Sequence, residues 1–357
     1  RERRPQILTM FETLEYGRAP GRPREQRFEV FERGTHALAG KALRRQVLIH
    51  VASDPAAPKI QLVEYLPAGA RGPVPMVLMI GFSAPSAMID DPGIRPSLVW
   101  DAATKQKVAA TPSPMGKFDP RPFLEAGFGV TTFYYGDLDP DFIGGYPLSI
   151  RGYLAKGQPQ AGDAWGSIAA WAWSLSRVQD YLETDRAVDS KRVALIGVSR
   201  LGKTVLWAAA RDQRFAAVIS CCSGQIGAGL MRRNYGSTIG GSGQTNYWLA
   251  DDFRRFHGRP DDLPMDSHML LGLIAPRPVL LQTGKYDHAA DPKGEFLAGV
   301  AATPIYRLLG KQGLDATTWP PPGPILSDIG YTMNSGGHGM QPGDWGIYLQ
   351  FLQKHLQ

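Results

Sequence analysis

A chain of 357 residues with 43% hydrophobic content is long enough to bury a large core, in one α/β domain or two smaller ones. Its net charge of +6 is spread along the chain, dense only at Arg1–Arg4, Arg18–Arg27, Arg44-Arg45 and Arg232-Arg233, and no basic stripe or nucleic-acid motif accompanies it, which argues against a nucleic-acid partner. No run of about eighteen apolar residues marks a membrane-spanning helix, and the only cysteines, the adjacent Cys221 and Cys222, point to opposite faces of a strand and make an ordinary disulfide unfavourable.

Taken in chain order, residues 1–25 read as a polar N-terminal extension and residues 26–357 as a single catalytic domain. Apolar runs predict strands at 43–51 and 59–66, which form an antiparallel entry hairpin, and then at 74–80, 128–135, 192–197, 215–221 and 278–283. From the third strand onward they alternate with helical stretches at Ala164–Glu183, Arg200–Arg211, Pro292–Val300, Pro304–Lys311 and Gly343–His355. That alternation is the pattern of a mostly parallel sheet with helices on both faces, a three-layer α/β fold.

The strand ending at Gly197 passes through Val198 to Ser199, and an amphipathic stretch begins at Arg200. Strand, sharp turn and helix with a serine at the turn is the geometry of a nucleophile, because the next N–H, at the helix start, faces a developing oxyanion. The second glycine arrives at Gly202, one residue later than in G-x-S-x-G. By itself the segment also fits a turn capped by a serine. A base and an orienting acid are expected downstream in the order Ser, Asp or Glu, His. The loop after strand 278–283 offers Asp287, and Gly336-Gly337-His338-Gly339 offers a histidine on a pliable loop. Asp291 competes as the acid, but Asp291-Pro292 reads as an N-cap followed by the first helical position. A second oxyanion donor is expected after strand 76–80, around Gly81-Phe82. The remaining histidines lack metal-ligand spacing, so neither a metal nor a cofactor is implied.

With these residues placed, the chain resembles the glucuronoyl esterases, carbohydrate esterase family fifteen, over nearly its whole length. The resemblance is carried by Gly197-Val-Ser199-Arg200-Leu-Gly202-Lys203, similar to the family's G-x-S-R-x-G-K, and by Thr35–Lys41, Tyr135–Pro140, Leu263–Pro278 and Gly337-His338 through Asp344-Trp345. It implies an α/β-hydrolase that cleaves esters of 4-O-methyl-glucuronic acid, as in lignin–glucuronoxylan linkages, through an acyl-enzyme. It implies Ser199 as nucleophile, His338 as base, Arg200 as oxyanion stabiliser and Lys203 as a contact to sugar hydroxyls. Trp248, Gln244 and Ser237 are further candidates for substrate binding, with Trp165 beside Trp248 as a stacking candidate. A secreted or periplasmic monomer is the expectation that goes with it. The chain departs from the family where many members carry the catalytic glutamate, since that position is Cys222. A thiol does not replace a fixed negative charge, which leaves the acid to Asp287. It departs again at Ser237, where relatives often have a glutamate, and at Ala289, where many bacterial relatives have a tryptophan. A carboxylesterase of other specificity, such as an acetylesterase, and an inactive carbohydrate-binding relative are the alternative readings.

Overall fold

The computed structural model describes residues 2–112, 117–240 and 245–357. They form two compact units, one of Ala19–Gln160 with Trp173–Val193 and one of Arg1–Arg18 with Ala161–Ala172 and Ala194–Gln357.

The first of these units carries β1 (Arg27–Ala37), β2 (Ala42–His50), β3 (Lys59–Pro67), β4 (Val74–Gly81), the small separate hairpin of β5 (Leu98–Asp101) and β6 (Gln106–Ala109), and β7 (Gly129–Tyr134). The expected entry hairpin is β2 with β3, antiparallel with Val47 opposite Leu62. β4 and β7 run parallel and are buried at every position, as uniformly apolar strands covered on both faces should be. β1 was not among the expected strands. It pairs with β2 alone, as the last strand in its sheet, and its Arg-Phe-Glu-Val-Phe-Glu sequence is mostly exposed, so it lacks the apolar run that marks a buried strand.

In the second unit β8 (Val188–Val198, from Ala194 onward), β9 (Ala217–Cys221), β10 (Val279–Gly284) and β11 (Ile329–Asn334) pair in that order, all parallel. Each is followed by a loop, and in open α/β sheets ligands bind at the carboxyl ends of the strands. The sequence pattern does not mark β11 either, because Gly330 and Asn334 interrupt a short apolar run. The helix after β8 is Arg200–Arg211 as expected, whereas the two helices expected at Pro292–Val300 and Pro304–Lys311 are one, Pro292–Leu308, with Pro304 inside it. An internal proline costs about 3 kcal/mol. The buried face of Phe296, Ala298, Gly299, Ala302, Thr303 and Tyr306 outweighs that cost through packing. Residues Arg3–Met10 are helical and Phe11–Glu15 form a π-helical turn. Phe11 and Tyr16 are fully buried, and the Tyr16 ring stacks on Trp207 at 4.5 Å. Apolar side chains hidden among arginines thus pin residues 3–16 to the helix that follows the serine. No described helix is long and apolar enough to cross a membrane.

Candidate active site

Ser199 sits at φ 58°, ψ −126°, a strained conformation for a residue with a side chain and one typical of functional turns. Its N–H donates to Cys221 O at 2.8 Å, and its own carbonyl accepts from Lys203 N at 3.2 Å, which starts the helix. Both glycines of the motif follow from contact. A Cβ on Gly197 would collide with the Leu201 carbonyl, and one on Gly202 would stand 3.0 Å from Cys221 O. The second glycine is late because the helix crosses β9 at residue 202. The first N–H groups of that helix, beginning with Arg200, have no carbonyl within it to bond, which makes the turn suited to an anion.

Asp287 and His338 meet as the sequence suggests, with His338 Nδ1 2.7 Å from Asp287 Oδ2. Asp287 is buried and His338 half-exposed. Burial pushes the Asp287 carboxyl up, yet the hydrogen bond and charge of His338, the Ala290 N–H and the Cys222 thiol together hold it below the usual carboxylate range. It is therefore ionised at neutral pH, accepts the Nδ1 proton and leaves Nε2 as the basic nitrogen. The loops after β10 and β11 are laced together by Lys285 N to Asn334 O at 3.0 Å and Tyr286 N to Gly336 O at 2.9 Å. Gly284 passes so close to the Gly337 carbonyl that no side chain fits. Asn334 fixes the histidine loop through Gly336 N and Asp344 Oδ2.

Cys222 stands beside this pair. Its φ is 48°, it is buried, and its Sγ accepts the Gly339 N–H at 3.4 Å. Asp291 is the helix cap: Oδ1 accepts Gly294 N at 3.0 Å, and Oδ2 accepts Arg233 Nε at 2.7 Å.

Lys203 is partly buried, and its Nζ donates to the carbonyls of Ser223 and Gln225, the latter at 2.7 Å. Burial pulls its ammonium down to about 8, against the opposing influence of Glu295 and Glu15. Those two carboxyls carried no sequence signal of a site. Glu295 lies in the first turn of its helix, where an acidic residue is ordinary, and Glu15 lies in the N-terminal stretch. Both are fully buried, and burial raises each to about 8. Glu295 Oε1 accepts the Gly224 N–H at 2.6 Å, so it holds the loop whose carbonyls hold Lys203.

The Arg200 guanidinium lies 5.0 Å from the centroid of the Trp248 ring, and Trp248, like Trp165, is buried. The departures at Ser237 and Ala289 are neighbours, because Ser237 N donates to Ala289 O at 2.9 Å. Gln244 lies outside the described residues. Phe82, expected near the oxyanion, follows β4 in the other unit, exposed and edge-on to Tyr135.

A family model described as fungal glucuronyl esterase matches residues 160–310. A carbohydrate esterase of an unknown prokaryotic organism is 40% identical over 370 residues, covering 99% of this chain and 84% of that protein. Among solved structures, a glucuronoyl esterase from Solibacter usitatus superposes with a TM-score of 0.93 at 37% identity, covering 100% of this chain and 93% of the other. A promiscuous family 15 esterase from a marine bacterial metagenome gives 0.88 at 38% identity, over 99% of this chain and 91% of the other. The chain belongs to carbohydrate esterase family 15, the glucuronoyl esterases, and has their α/β-hydrolase fold.

Proposed function

We propose that the protein hydrolyses esters of glucuronic acid, including 4-O-methyl-glucuronate as it occurs on glucuronoxylan, by a serine mechanism. The observation that carries the mechanism is the buried, ionised Asp287 holding His338 Nδ1 at 2.7 Å in the same unit as a serine forced to positive φ. In this reading His338 Nε2 takes the Ser199 proton as the hydroxyl attacks the ester carbonyl, and Asp287 stabilises the imidazolium that forms. The Arg200 N–H, at the helix start, receives the oxyanion. The alcohol leaves with the proton from His338, and water, activated by the same nitrogen, releases the uronate. Trp248 serves through Arg200, whose guanidinium it steadies at the site. Lys203, through the ammonium proton left beyond its two loop carbonyls, and Ser237 are the proposed contacts to sugar hydroxyls. Export to the periplasm or medium, where the polysaccharide is, and action as a monomer belong to the same reading.

Ser199→Ala and His338→Ala are each expected to abolish hydrolysis of benzyl glucuronate with the circular dichroism spectrum unchanged. Turnover near wild type in either variant removes the nucleophile–base assignment. A broader carboxylesterase is the second reading, favoured by the adjacent departures at Ser237 and Ala289 and by the relative described as promiscuous. Comparing kcat/KM for benzyl glucuronate, an acetylated sugar and p-nitrophenyl acetate separates the two, and a preference for the acetyl esters would select the broader one.

A further inference from the structure

Three side chains of metal-binding type, from three separate strand ends, converge at the catalytic base. Cys222 follows β9, Asp287 follows β10 and His338 follows β11, and one donor atom from each lies within 4.8 Å of the other two. Their spacing along the chain is unlike any local ligand motif, so the parallel sheet alone assembles them.

We propose that this trio binds a thiophilic divalent cation such as Zn²⁺, and that occupancy switches hydrolysis off. Thiolate sulfur, imidazole nitrogen and carboxylate oxygen are the donors zinc takes, at about 2.3, 2.0–2.1 and 2.0–2.2 Å, so ligand atoms around one ion stand roughly 3.3–3.7 Å apart. The Asp287–His338 contact of 2.7 Å must open by less than about 1 Å, and the widest separation must close by about as much. The histidine loop can supply that movement. Gly336, Gly337 and Gly339 flank the ring, and a side chain added at Gly337 or Gly339 would meet open space. The half-exposed ring gives the ion a way in from solvent, and two buried donors behind it give it somewhere to stop.

Inhibition follows from where the protons go. Binding breaks the Cys222 S–H bond, releases that proton to solvent and forms a metal–sulfur bond; nothing is oxidised or reduced. The neutral imidazole keeps its one proton but carries it on Nε2, because Nδ1 is now a metal ligand. Nε2 then is a donor, and it cannot accept the serine proton. The metal therefore imposes the tautomer that Asp287 otherwise excludes.

This inhibitory half rests on the esterase reading, whereas metal binding does not. Zinc chloride is titrated into the full chain in a non-chelating buffer, with benzyl glucuronate hydrolysis as readout, and EDTA in excess is then added. The expected result is loss of activity that EDTA reverses, with Cys222→Ser needing at least about tenfold more zinc, relative to its own metal-free rate. Cobalt(II) alone should give a thiolate-to-metal charge-transfer absorption in the wild-type protein that Cys222→Ser lacks. Equal zinc sensitivity in the two proteins, or cobalt bound by wild type without the thiolate absorption, overturns the proposal. The cobalt reading on wild type decides the matter even where Cys222→Ser does not fold. A thiolate absorption in a protein that hydrolyses no ester would support the metal site and sink the esterase reading.

Discussion

Asp287 and Asp291 share one loop, and hydrogen-bonding partners divide their roles. Asp287 faces His338, and Asp291 caps a helix and pairs with Arg233. Asp287→Asn is expected to lower kcat by several orders of magnitude, on the order of the 10⁴ seen for the equivalent change in a serine protease, because an amide can hold the imidazole in the wrong tautomer. Asp291→Ala should leave kcat near wild type while costing about 1–2 kcal/mol of stability through the lost cap. Steady-state rates alongside urea denaturation of both variants check the division, and a reversed pattern would move the acid to Asp291. The pH dependence of Asp287 has a definite sign. Its folded pKa is depressed, so the stability it contributes is present above the unfolded value near 3.8 and is lost as pH falls through the folded one.

At the level of elements, the candidate site is built from four strand ends. β8, β9, β10 and β11 present Ser199, Cys222, Asp287 and His338 in turn, and parallel pairing puts all four loops on one edge. The helix Pro292–Leu308 does double duty here: Asp291 caps its start, and Glu295 in its first turn holds the Gly224 N–H from below the Lys203 loop. Glu295→Ala leaves that buried N–H unpaired, which should cost about 1–3 kcal/mol in urea denaturation. An unchanged midpoint would mean that water replaces the carboxyl.

For the whole molecule, three buried glutamates set a second pH dependence, opposite in sign to that of Asp287. Burial raises Glu15, Glu64 and Glu295 to about 8. The unfolded chain releases these protons near pH 4.5, while the folded protein keeps them until about 8, so stability declines as pH rises across that window. Urea denaturation at pH 5, 6.5 and 8 should show the decline, and Glu295→Gln should flatten it. A slope untouched by Glu295→Gln would show that the Glu295 carboxyl is ionised in the folded state. The partly buried histidines His257, His268 and His355, whose pKa values burial lowers, oppose the decline between pH 5 and 6.5, so the comparison with the variant and not the net slope is the test.

The order of most strands and helices, the serine turn and the glycine-flanked histidine loop are legible in the chain, because each is a local pattern: apolar runs bounded by glycine, a proline at a helix start, glycines around a ring. Edge strand β1 and short β11 are not, since the first is half solvated and the second is broken by glycine, and neither has a local signature of burial. Pro304 reads as a helix break and is overruled by the packed face around it. The partners of Lys203, the loop-holding role of Glu295 and the meeting of Cys222 with Asp287 and His338 join residues dozens of positions apart. Sequence spacing carries no record of such contacts, and only the parallel register of β9, β10 and β11 decides them.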